Sequence, residues 1–174
     1  MSACPLYFSR FGYCGHVGGS RSCLAEPRKK TAVTPQELKK ALVASGFEVY
    51  RTLGDEVLLA DRVRDNLIMD SGVRVKAGET LQIRLIMGVR RGQFPSESDA
   101  HLFDRVRELA KDALPHGFAE ISTGVATVPD PADPARTLDA FFEVVFAKDI
   151  DGVDGLAEPL RYALILAKTA EARR

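Results

Sequence analysis

The chain has 174 residues, with 24 basic and 24 acidic side chains, 45% hydrophobic residues and 7% aromatics. That length suits one domain whose core needs no disulfide or metal staple. The balanced charge argues against a general nucleic-acid binder, which carries a basic excess, and no run approaches the roughly 18 apolar residues of a membrane span.

The first 33 residues differ in kind from the rest. They hold all three cysteines, Cys4, Cys14 and Cys23, together with His16, Gly12, Gly15, Gly18 and Gly19. Their five basic residues and one acidic residue give +4, which leaves −4 for the remainder. A secretion signal needs a continuous apolar stretch after a basic start, and Ser9 and Arg10 interrupt the only candidate. Cys4, Cys14, His16 and Cys23 have the ligand types of a tetrahedral zinc site, but they offer one Cys-x-His pair and no second close pair. The other reading is a reduced tail without metal. Arginine outnumbers lysine 16 to 8, a bias of GC-rich genes with alternative starts, which makes Val17 or Val33 an alternative first residue. Residues 1–33 are therefore expected to be a disordered or non-native extension, and residues 34–174 one domain. The odd cysteine count points to a cytoplasmic protein.

Order is expected from Thr34. Thr34-Pro35-Gln36-Glu37 is a capping box with proline at the first helical position, Leu38, Ala41 and Leu42 recur at helical spacing, and Gly46 supplies the stop. From Phe47 the period falls to two. Phe47 to Leu53 and Glu56 to Val63 read as strands joined at Gly54-Asp55, and a turn at Arg64-Asp65-Asn66 leads to a third strand, Leu67 to Val75. Ser71-Gly72 marks a bulge or bend in that strand. Leu81, Ile83, Leu85, Met87 and Val89 alternate with a wetter set, which gives a fourth strand with one buried face.

Ser96-Glu97-Ser98-Asp99 predicts the cap of a second helix, whose apolar stripe is Leu102, Val106, Leu109 and Ala113, widened by Phe103, Ala110 and Leu114. Pro115-His116-Gly117 ends it. Phe118 to Val128 and Leu138 to Lys148 read as two further strands, separated by a Pro/Asp loop no strand can traverse. Leu156, Leu160, Ala163, Leu164 and Ala167 form a last amphipathic helix, with Pro159 in its first turn. The expected fold is α+β, an antiparallel sheet in the order α-β-β-β-β-α-β-β-α with helices packed on one face.

Asp149 to Gly155 has the look of a calcium loop, but Val153 stands at a ligand position and Leu160 where the closing glutamate belongs, so a turn before the last helix is expected, capped by Asp154 or a neighbour. Ser71 and Ser122 lack a nucleophile elbow, and neither His101 nor His116 is spaced against a nucleophile. No glycine-rich phosphate loop occurs. These observations favour a non-catalytic domain without cofactor or metal.

The element order from Thr34 to about Arg173, its two capped helices and its acidic balance resemble the type III secretion chaperone-like fold, which includes the YbjN-type proteins. That resemblance implies a small cytoplasmic protein, often dimeric, that binds other polypeptides and carries no cofactor. The expected partner is accordingly a protein or a second copy, with no nucleic acid and no membrane. Its surface is sought at Phe141, Phe142, Val145, Phe146, Ile165 and Leu166, where a strand apolar on both faces adjoins a helix with surplus apolar residues. The alternative is a nucleotide or phosphate sensor, or a small enzyme, using Arg62, Arg64, Arg74, Arg84 and Arg90 on the open sheet face. Over residues 47–92, however, eight basic residues meet seven acidic ones, which favours cross-strand pairing.

Overall fold

The structure, a computed structural model, describes residues 32–64 and 67–172. Cys4, Cys14, His16 and Cys23, the extension apart from Ala32 and Val33, and the turn residues Asp65 and Asn66 lie outside the described residues. Val33 already engages the domain: its amide donates to the Gly78 carbonyl at 2.9 Å and its side chain packs on the core.

Helix α1 spans Pro35–Ala44. The Thr34 hydroxyl accepts from the Glu37 amide at 3.3 Å, and the Glu37 carboxylate accepts from the Thr34 amide at 2.9 Å, which completes the capping box. Gly46, at φ 84°, turns the chain out of the helix. Four strands follow: β1 (Val49–Leu53), β2 (Glu56–Arg64), β3 (Leu67–Lys76) and β4 (Leu81–Arg90). Helix α2 (Asp99–Leu109), strands β5 (Ala119–Pro129) and β6 (Thr137–Ile150) and helix α3 (Ala157–Ala172) complete the chain. The six strands form one antiparallel sheet in the order β1-β2-β3-β4-β6-β5. The last hairpin thus joins through its second strand, so that β6 is interior and β5 is an edge.

All three helices contribute to one core. α1 packs on β1 and β2, α3 on β3 and β4, and α2 on β4 and β6. Beneath them Leu81, Ile83, Leu85, Met87 and Val89 are buried, as the alternation in β4 requires. Leu58 and Ala147 are also buried but stand outside this core cluster.

Three local expectations are corrected. The α2 cap is Ser98, which accepts from the His101 amide at 3.4 Å, rather than Ser96. α2 ends at Leu109, and the chain tightens into a 3-10 turn over Lys111–His116, so Leu114 is exposed rather than part of the apolar stripe. A second 3-10 turn over Val153–Gly155 precedes α3, and Leu156, not Asp154, stands before its first helical residue.

The bulge at Ser71-Gly72 has structural consequences. Between the pairs Leu58↔Arg74 and Ala60↔Asp70, β3 carries two more residues than β2. The extra length is held by the Ser71 hydroxyl, which donates to the Leu59 carbonyl at 2.9 Å, and by the Asp70 carboxylate, which accepts from the Gly72 amide at 2.9 Å. Gly72 adopts φ 75°, and a Cβ there would lie 2.7 Å from the Ile86 carbonyl oxygen, so glycine is required.

Candidate functional site

The six apolar residues singled out in β6 and the last helix occupy three places. Phe142, Phe146 and Leu166 belong to the core because α2 and α3 cover that face of the sheet. Phe142 meets Phe103 of α2 edge-on at 5.3 Å between ring centroids, and the Arg91 guanidinium lies 4.6 Å over it. Phe141 and Val145 point to the opposite face and are half-buried. The Arg90 guanidinium stands 4.7 Å over the Phe141 ring. Ile165 is exposed on α3. The alternation read from the strand is therefore observed, but these residues do not make one surface.

The arginines of the alternative site are spread out and mostly neutralised. Arg62 donates to Glu48, with its Nε 3.2 Å from the carboxylate. Arg74 and Arg84 are cross-strand neighbours that share Glu56, at 3.5 and 2.6 Å, and Arg74 also approaches Asp70 at 3.7 Å. Arg90 is occupied by Phe141, and Arg64 lies at the exposed end of β2. An anion on this face would have to displace carboxylates already in place.

His116 makes a structural contact with the last helix. His116 stacks on Tyr162 of α3 with ring centroids 3.6 Å apart, and the Tyr162 hydroxyl donates to the Asp112 carbonyl at 2.9 Å. Burial pushes the Tyr162 phenol above its ordinary range. The His101 side chain is exposed. Among the described residues no group of three or more histidine, cysteine, aspartate or glutamate side chains converges as metal ligands would.

The feature that the sequence reading passed over is β5. It runs for 11 residues, all exposed except half-buried Val128, and pairs only with β6. Its outer row of backbone N–H and C=O groups has no strand beside it among the described residues. Edge strands ordinarily carry charge, proline or bulges, or are very short, to prevent further pairing. The opposite edge, β1, follows that rule with five residues, an irregular register and Arg51. β5 has a bulge near Ile121 and a terminal proline, yet Ile121 to Val128 contains no charged side chain.

Its one charge, Glu120, is already matched. The Arg107 guanidinium of α2 donates to it at 2.9 and 3.0 Å, and this hydrogen bonding holds the Glu120 carboxyl below the usual carboxylate range. Three large apolar side chains, Ile121, Val125 and Leu138, are exposed on or beside the edge, at 47, 50 and 54%. Gly124 sits in mid-strand, where glycine weakens a strand. A Cβ there would meet nothing within 4 Å, so among the described residues no contact calls for glycine at this position. Chain order alone does not tell which strand of a hairpin becomes the edge, and for that reason β5 read as an ordinary strand.

No protein-family profile, curated protein or solved structure matches the chain. Among the described residues no helix is long and apolar enough to cross a membrane.

Proposed function

We propose that this chain is a non-catalytic protein-binding domain of the cytoplasm that works as a homodimer, with the β5 edge of one copy pairing to the β5 edge of another. The observation that carries this reading is the uncharged run Ile121 to Val128, with Gly124 at its middle and no strand along its outer edge among the described residues. Backbone pairing along such an edge supplies affinity without any particular side chain.

Self-pairing is favoured because the segment is compatible with itself. In an antiparallel pair that keeps the helices of both copies on one face, residues of equal parity stand opposite one another. A two-fold axis through Gly124 then sets Ser122 against Ala126 and Thr123 against Val125, and no like charges meet. The glycine gives the two backbones room to approach, and the exposed Val125 side chains gain neighbours from the second copy. The pairing covers the β5 edge, the longer and less charged of the two.

The test is the solution mass by sedimentation velocity of the full chain and of Val125→Lys. Val125 is half-exposed but stands opposite buried Phe142, so the substitution is expected to cost the monomer about 1 kcal/mol or less, which leaves it folded. A wild-type dimer that becomes a folded monomer in Val125→Lys supports the reading. A wild-type monomer, or a dimer that Val125→Lys leaves intact, contradicts it.

A further inference from the structure

A hollow of about 440 Å³ opens where the 3-10 turn Lys111–His116, the end of β6 and the first turns of α3 come together. It is lined by the rings of His116, Phe118 and Tyr162, by the cations Lys148 and Arg161 and by the carboxylate of Glu158. Its walls are fixed without a ligand. His116 stacks on Tyr162, and the Tyr162 hydroxyl donates to the Asp112 carbonyl, so the turn and the helix are tied to one another.

We propose that this hollow binds a small organic acid, an aromatic ring carrying one carboxylate. Two properties select that occupant. The first is uncompensated positive charge. The half-buried Lys148 donates to the His116 carbonyl at 2.7 Å, and its nitrogen lies 6.0 Å from the centroid of the Phe118 ring. That bond uses one of the three N–H donors of the ammonium. The Arg161 guanidinium lies 5.7 Å over the Phe47 ring. Among the described residues neither cation forms an ion pair, although Glu158 lines the same hollow. Arg74 and Lys168, which line two other hollows, are by contrast paired with carboxylates. Two cations against one carboxylate leave a surplus of one positive charge, which suits a monoanion rather than a phosphate dianion.

The second property is the apolar lining. The rings of His116 and Tyr162 and the exposed side chain of Ile165 offer flat and aliphatic surface beside the two cations. A bare inorganic anion would leave that surface wet, whereas an aryl ring covers it. The carboxylate of the same molecule accepts from the remaining donors of Lys148 and from Arg161. The site takes no residue from β5 and does not depend on the homodimer.

The experiment titrates the full chain into indole-3-acetate and follows the anisotropy of the indole, which has no tryptophan background because the chain contains none. Saturable binding of one molecule per chain is expected, with indole-3-acetamide held about tenfold or more weakly. Arg161→Gln and Lys148→Gln should each weaken binding of the acid about tenfold. Arg161 is exposed, so its variant is expected to fold, and circular dichroism checks Lys148→Gln, which also loses a bond to the turn. The proposal is overturned if the acid does not bind saturably below about 1 mM, if the amide binds as well as the acid, if inorganic sulfate at equal concentration displaces the acid, or if either folded variant binds the acid as the wild type does.

Discussion

Truncating Phe142 and Phe141 in turn separates the two faces of β6 more sharply than any other pair of substitutions. The neighbours differ in surroundings, not in chemistry. Phe142 is 2% exposed, sits against Phe103 and faces Val89 and Val125 across the two flanking strands. Transfer of its ring from water contributes about 1.5–3 kcal/mol, and the edge-to-face contact with Phe103 adds about 0.5–1.5 kcal/mol. With the cavity left beneath α2, Phe142→Ala is expected to cost about 3–5 kcal/mol. Phe141 is half-buried and has the Arg90 guanidinium over its ring, an interaction of about 0.5–1 kcal/mol at an exposed site. Phe141→Ala should therefore cost about 1–2 kcal/mol. At about 2–4 °C per kcal/mol for a chain of this size, the two melting temperatures should fall by about 6–20 °C and about 2–8 °C respectively. Urea unfolding monitored by circular dichroism gives the free energies directly. Equal losses from the two substitutions, or a larger loss at Phe141, would refute the assignment of the helix-bearing face.

Glu56→Gln should cost about 2 kcal/mol in urea unfolding, because it leaves Arg74 and Arg84 side by side without the carboxylate between them; adding Arg84→Gln should recover part of the loss. Gly72→Ala should destabilise by more than about 1 kcal/mol, since the position combines a positive φ with a backbone oxygen 2.7 Å from the new Cβ. Gly124→Ala should leave the monomer unchanged or stabilise it by up to about 1 kcal/mol, as its Cβ enters open space. Glu37, Glu97 and Glu120 are held below the ordinary value of 4.5 by hydrogen bonds from Thr34, Arg105 and Arg107 respectively. Their folded forms prefer the carboxylate, so the stability they contribute is fully present above that value and is lost as pH falls through the lowered one. Arg107→Ala should accordingly reduce the acid sensitivity of the melting temperature below pH 4.5 and change its slope little near neutrality.

Features of the fold that depend on local chemistry were legible in the chain. The Thr34 capping box, the Gly46 stop, the two-residue period of β4 and the bulge at Ser71-Gly72 each rest on neighbouring residues, and each is found where the pattern places it. Long-range placement was not legible. Nothing in Ala119 to Ile150 states that the hairpin docks through β6, although that choice makes Phe146 interior and β5 an edge. The apolar content of β6 was visible, but its division into core and open face depends on where α2 and α3 settle. The arginines were visible as a stripe, and the prevailing balance of charge suggested pairing, but the sharing of Glu56 by Arg74 and Arg84 follows from the register of three strands.

The claim that β5 pairs with a second copy is tested most directly by amide hydrogen exchange of Ile121 to Val128 as protein concentration is raised. In a monomer, the amides of this edge that point away from β6 have no strand to bond among the described residues and exchange quickly at every concentration. Pairing predicts that these alternate amides become protected together as concentration rises, centred on Gly124, while the amides bonded to β6 change little. Fast exchange of the outward amides that stays the same across the whole concentration range would contradict the account.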